Sequence, residues 1–484
     1  MKYLIPSIFL ALSLGLLAGC GSSSSDTPPG NGNGNGNGNG NGNGNGNGNG
    51  QEPPVEQVPL LEDVSDLIPT PPTPTPHDQI PEGNQVFFVA TTGSNQDDGT
   101  GEDRPFATLS HAISQVGPGD VIVVRGGVYE KSTTLRIDSS GTQDEKITLF
   151  AYPGEEPILD FTSQGLGNNR HGVRLNGSHW HLYGLTIRNA GHNGIRMDGS
   201  YNRLERVVSH GNYDTGIHMA GGASHNLIMN CDSYDNVNLG SANGGYTANP
   251  GNNADGFGAK FDIGPGNHYY GNRAWNNSDD GFDFWRASST IVLQNNWAFD
   301  QGRNDVYGHL TDFRGNGNGF KFGGDGVYGA HIAIGNIAFN NLGHLENAKG
   351  FDHNNNPAPQ VLIHNTAVNN PRNFSFPNPP EEEDERYIMY NNFSLLGNLE
   401  LFSPLVGGLS SDGNSWQMDT NPRQSDINIP DLELARSERQ ADGSLPDIEL
   451  FKVLEASAFK EAGVNIGFPF SGEAPEIGAH GYTP

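Results

Sequence analysis

Two cysteines in 484 residues, Cys20 and Cys231, leave this chain almost nothing to cross-link. They allow at most one disulfide, so the fold must stand chiefly on packing or metal. Cys231 reads as a buried core residue. Basic residues are scarce as well: 26 Lys and Arg face 55 Asp and Glu, a formal charge of −29. That argues against nucleic acid as a partner. It is also awkward for an enzyme acting on a polyanion, because long-range repulsion slows encounter. A bridging cation or a locally basic cleft would resolve the conflict. Long apolar runs are missing too. Leu4 to Leu17 is too short for a comfortable membrane span and follows Lys2, the pattern of an export signal.

What the chain has in excess is glycine, 68 residues, part of it in an unbroken Gly-Asn alternation over residues 30–50. Such a stretch has no apolar side chain to offset its ordering entropy and reads as a flexible tether. The Pro/Thr-rich run from Pro69 to Pro76 is stiffer and extended. Residues 21–82 are therefore expected to be a disordered linker, with one domain over 83–484 whose fold begins near Val86. The segment Leu17-Ala18-Gly19-Cys20 resembles the lipobox of bacterial lipoproteins. It implies removal of residues 1–19 and lipidation of the Cys20 thiol. Gly21, rather than Asp, after that cysteine suggests the outer membrane or cell surface. The expected product is an exported monomer, lipid-anchored or released, that meets a membrane only through its lipid.

A short motif, Gly-apolar-x-apolar, recurs down the chain. It appears as Gly172-Val-Arg-Leu, Gly194-Ile-Arg-Met, Gly216-Ile-His-Met, Gly256-Phe-Gly-Ala, Gly281-Phe-Asp-Phe, Gly319-Phe-Lys-Phe and, more loosely, Gly350-Phe-Asp-His. The first intervals are 22 residues, and longer later ones fit loops inserted into turns of a solenoid. Between the motifs lie apolar segments ending in Asn, such as Leu182–Asn189, Leu204–Asn212 and Tyr269–Asn277. Short strands of period two, separated by Gly/Asn turns at this spacing, describe coils of an all-β parallel β-helix. Coils about 4.8 Å apart stack equivalent residues into columns. Turn asparagines in register can form side-chain ladders, and Phe257, Phe282, Phe320 and Phe351 should stack inside. The segment Pro105-Phe-Ala-Thr-Leu-Ser-His-Ala-Ile reads as a short helix capping the open end of the solenoid. The charged stretch from Asp431 is expected to pack along its outside.

Two residues beyond each motif glycine, the outward column reads Arg174, Arg196, His218, Gly258, Asp283, Lys321, Asp352. The turn just before the glycines supplies Asp255 and Asp280, with Asp279 adjoining. Asp255, Asp279, Asp280 and Asp283 should thus converge on adjacent coils, with Lys321 one coil beyond Asp283. Crowded carboxylates repel unless a cation joins them. Hard oxygen donors without cysteine or clustered histidine favour Ca²⁺. A cation beside a lysine suits β-elimination from a uronide: the cation binds the sugar carboxylate, and Lys321 removes the C5 proton. Lys321 must then lose its own proton below the usual value, which nearby calcium promotes and nearby aspartate opposes. An alkaline optimum follows. A salt bridge from Lys321 to Asp283 or Asp352 is the competing structural role. Arg174 and Arg196, on the same column, could hold further substrate carboxylates. The insertions at 239–253 and 301–317 would form groove walls or a lid.

Asp255-Gly-Phe-Gly-Ala-Lys, Asn276-Asn-Ser-Asp-Asp-Gly-Phe-Asp and Gly317-Asn-Gly-Phe-Lys-Phe-Gly-Gly resemble motifs of polysaccharide lyase family 9 pectate lyases. Weaker similarity runs from about Val86 to the end. The resemblance implies a single-domain right-handed β-helix, one Ca²⁺ held by Asp255, Asp279, Asp280 and Asp283, and Lys321 as base. It also implies an acidic, polygalacturonate-like polysaccharide as substrate, in a family that includes exo-acting and non-pectin members, so an exo-acting or other polyuronide lyase of the same fold stays open. Three other readings stay open. A polygalacturonase-type hydrolase would use paired carboxylates, but its Gly-His-Gly and Arg-Ile-Lys sequences are missing. An alginate-type epimerase lacks its Asp-Pro-His motif here. A surface adhesin or glycan-binding solenoid with structural calcium suits the anchor and stalk equally well.

Overall fold

The computed structural model describes residues 67–402 and 407–483. Triplets such as Val173–Leu175, Ile195–Met197 and Ile217–Met219 bury both apolar ends and turn the middle side chain outward. Each pairs in parallel with the next coil, so Ile195 lies beside Ile217 and Arg196 beside His218. Among the described residues, repetition builds three parallel sheets of 12, 10 and 10 strands. The fold is the parallel β-helix that the repeat implies.

Inside, Phe257, Phe282, Phe320 and Phe351 form the expected stack, which Phe374 continues, with ring centroids 4.8–5.0 Å apart. Each such burial contributes about 1.5–3 kcal/mol. Cys231 is buried and unpaired. At one corner an asparagine ladder runs Asn272, Asn296, Asn336, Asn365, Asn392, Asn414, each Nδ2 donating to the next Oδ1 at 2.9–3.0 Å. The same Oδ1 atoms also accept backbone N–H groups of the preceding coil. Only a side chain with both donor and acceptor can continue such a ladder from coil to coil. The residue before each rung turns through the left-handed region, as at Asn295 (φ 56°) and Gly335 (φ 66°). That requirement explains the Gly/Asn richness of the turns.

The open end is capped by the helix Leu109–Ile113, which buries Leu109, Ala112 and Ile113. Thr108 caps it by accepting from the His111 N–H. The C-terminal stretch packs on the outside, as expected, but as short 3₁₀ turns such as Leu432–Arg436. There Arg273 and Arg439 both pair with Asp232, and Arg273 also donates to the Ala435 carbonyl.

The expected linker needs one correction. Its Pro/Thr-rich part is docked: Thr75 donates to buried Glu205 through N–H at 2.8 Å and through Oγ1 at 2.6 Å, and Arg203 holds the Thr73 carbonyl. Proline-rich chain is already extended, so fixing it costs less entropy than fixing Gly-Asn chain. The signal peptide, Cys20 and the Gly-Asn tract lie outside the described residues. Among the described residues no helix is long and apolar enough to cross a membrane. A chain starting at residue 83 loses these contacts and uncovers Glu205. Its thermal unfolding is expected to show about 1–3 kcal/mol less stability than a chain starting at residue 67.

Candidate functional site

The outward column has the register read from sequence. Arg136, Arg174, Arg196, His218, Gly258, Asp283, Lys321 and Asp352 are successive neighbours across parallel strands. The turns entering these strands lie so close that a Cβ on Gly256 would fall 2.8 Å from the Gly281 carbonyl, and one on Gly281 would fall 2.7 Å from that of Gly319. Glycine is therefore required at those two positions, and its close approach brings Asp255 and Asp280 together.

Each of three aspartates has one oxygen fixed by a backbone amide. Asp280 N–H donates to Asp255 Oδ1 (3.3 Å), Asn318 N–H to Asp280 Oδ1 (2.7 Å) and Trp285 N–H to Asp283 Oδ1 (3.0 Å). The other oxygens face two ammonium groups. Lys260 Nζ lies 2.7 Å from both Asp255 Oδ2 and Asp283 Oδ2. Lys321 Nζ lies 3.1 Å from Asp280 Oδ2 and 3.4 Å from Asp283 Oδ2. Asp255, Asp280 and Asp283 each offer an oxygen within 4.8 Å of the others.

Asp279 is buried beside them, but both its oxygens accept from the inserted loops: Asn253 N–H at 2.6 Å and Asn316 N–H at 2.7 Å. Those loops also bind each other, through Asn243 with Thr311 and Arg314 with Pro250. Asp279 thus pins the 239–253 and 301–317 insertions into one wall beside the cluster.

Burial pushes the Asp255 and Asp279 carboxyls up, and pushes Asp280 up to about 7 although Lys321 opposes it. Burial acts on Asp283 in the same direction, yet Lys260 and Lys321 together hold its carboxyl below the usual range. Lys321 does not have the lowered value that base catalysis needs. Burial favours its neutral form, but Asp280 and Asp283 outweigh burial and hold the ammonium well above its ordinary range. The buried hard-oxygen set fits Ca²⁺, as neither cysteine nor histidine belongs to the group.

Because the folded Asp280 value lies above its unfolded one, its contribution to stability is present at acid pH and lost as pH rises through about 7. Below that pH an entering dication must also displace the proton. Calcium affinity, measured by calorimetry, is expected to rise as pH climbs through about 7. In EDTA the melting temperature should fall over the same interval.

Arg174 and Arg196 stand on the column but share one carboxylate, Asp198, at 3.1 and 2.8 Å. His218 is buried with neither ring nitrogen hydrogen-bonded. Burial, with Arg196 and Lys260 nearby, holds the imidazole neutral. Sequence reasoning missed Lys260. Its signal was available: Gly258 is the one position of the column without a side chain, and Lys260 follows two residues later on the same face.

Comparison with known proteins fits this geometry. Residues 87–387 match the family described as Pel9A-like, right-handed beta helix region. Pectate lyase L of Dickeya dadantii (strain 3937) is 33% identical over 405 residues, covering 82% of this chain and 90% of that protein. The crystal structure of pectate lyase Pel9A superposes with a TM-score of 0.74 at 32% identity, covering 82% of this chain and 96% of that one. A rhamnogalacturonan lyase shares the fold, with a TM-score of 0.66 at 24% identity.

Proposed function

Since this chain belongs to the Pel9A-like right-handed β-helix family, we propose that it is a pectate lyase, cleaving polygalacturonate-like chains by calcium-assisted β-elimination with Lys321 as base. The observation that carries this reading is Lys321 Nζ poised over the converging oxygens of Asp280 and Asp283. Asp255, Asp280 and Asp283 would hold the ion, with Asp279 contributing through the lone pairs its amide contacts leave. A bound Ca²⁺ would offer positive charge to a substrate carboxylate and take over the oxygens on which Lys321 otherwise rests.

The chain's own residues do the rest. Lys321, once deprotonated, accepts the C5 proton; the C5–H electrons form the C4–C5 double bond, the C4–O4 bond breaks, and the departing O4 takes a proton from water. Activity should therefore rise with pH as the ammonium loses its proton. Arg196 and Arg174, each still partly exposed, would receive carboxylates further along the chain. They supply the locally basic stretch that a protein of net charge −29 needs. The Lys2 to Cys20 segment supports export and lipid anchoring in the same reading.

The test is incubation with polygalacturonate, following ultraviolet absorbance of the unsaturated product with Ca²⁺ and with EDTA. A calcium-dependent rise supports elimination. New reducing ends without absorbance would mean hydrolysis and would remove Lys321 from its role. A folded, calcium-binding protein inert towards polyuronides would be a binding protein.

A further inference from the structure

Lys260 has no part in the elimination described above, yet it makes the shortest ion pairs of the cluster. Its Nζ lies 2.7 Å from Asp255 Oδ2 and 2.7 Å from Asp283 Oδ2. Both belong to carboxylates whose other oxygen is fixed by a backbone N–H. Those aspartates cannot turn to offer a different oxygen without giving up that bond. The ammonium therefore sits on the two oxygens of these carboxylates that carry no backbone amide bond, the ones most open to a divalent cation.

The position is built, not incidental. Each neighbouring coil from Arg136 to Asp352 places a side chain on the outward column, and Gly258 places none. A Cβ on Gly258 would meet Lys260 Cε at 3.4 Å, Thr215 Cγ2 at 3.3 Å and His218 Nδ1 at 3.7 Å. The Lys260 stem thus lies over the gap, and its ammonium reaches the next coil, where Asp283 stands. Asp255 Oδ2 is held from the other side by Thr215 Oγ1 at 2.8 Å.

We propose that Lys260 is an internal competitor for the metal: its ammonium holds Asp255 and Asp283 together until a divalent cation takes the same oxygens. The inference rests on the calcium-lyase reading and adds a role that reading does not need. Lys260 is a positioning residue. It keeps the ligand set shaped at low calcium and sets the calcium concentration at which the groove becomes charged for substrate.

Calorimetric calcium titration of calcium-stripped wild type, Lys260→Met and Lys260→Gln tests this. Both variants are expected to bind calcium at least about tenfold more tightly, a gain of about 1.4 kcal/mol. In EDTA both should melt below wild type, and saturating calcium should close that gap. Where a variant unfolds when stripped, the calcium dependence of its melting temperature gives the same affinity. Equal or weaker binding by both variants, with wild type binding normally, would overturn the inference and leave the lyase reading intact. A wild type that takes no calcium would overturn both, and is distinguishable because it requires no variant.

Discussion

Lys321→Ala is expected to lower kcat on polygalacturonate by about 10²- to 10⁴-fold, the usual contribution of a positioned general base. KM should change far less, because the base acts on the transition state and not on the bound substrate. Lys321 is buried with its ammonium on Asp280 and Asp283, so alanine also removes an ion-pair partner. Loss of the ion pair alone would lower stability in EDTA and leave turnover near normal once calcium is bound. Lys321→Arg separates the two roles. A guanidinium keeps a positive charge beside the carboxylates but does not deprotonate in proteins. The arginine variant should retain most of the calcium-free stability and show the same loss of kcat as alanine. An arginine variant with near-normal turnover would reduce Lys321 to a structural ion-pair partner.

Asp283→Asn is expected to have the larger effect on the fold. The carboxylate faces both Lys260 and Lys321, and Asp283 is almost fully buried. The amide keeps an acceptor for the Trp285 N–H but cannot balance two ammonium groups. Removing one partner of a buried ion pair costs about 3–5 kcal/mol, and here the loss is shared with the Asp255 and Asp280 pairs. Urea unfolding in EDTA should report a loss of that size. Calcium should fail to restore stability at concentrations that saturate wild type, because one of the three converging oxygens is gone. Restoration of wild-type stability by calcium would show that Asp283 is not a ligand.

Much of this was legible in the residues because a solenoid converts sequence spacing directly into position. Once Gly194 and Gly216 were recognised as equivalent, the pairing of Arg196 with His218 followed, and so did Asp283 with Lys321. The phenylalanine stack and the asparagine ladders followed from the same period. What escaped was whatever left the strands. Lys260 lies just past Phe257–Ala259 and reaches the next coil by its long stem, a step that a column count does not register. The docking of Thr75 on Glu205 joins residues 130 apart in sequence, outside any repeat. The coupling of the two insertions through Asp279 is likewise loop geometry without a period. The charge state of Lys321 was open for a different reason: calcium and aspartate act on it in opposite directions, and the sequence does not weigh them.

The most direct test of the site is a crystal structure of the Lys321→Ala variant with calcium and a short oligogalacturonate. The expected density is one ion against Asp255, Asp280 and Asp283, touching a uronate carboxylate, with the sugar chain running over Arg196 and Arg174. An ion bound elsewhere, or an oligosaccharide on another face of the helix, would contradict it.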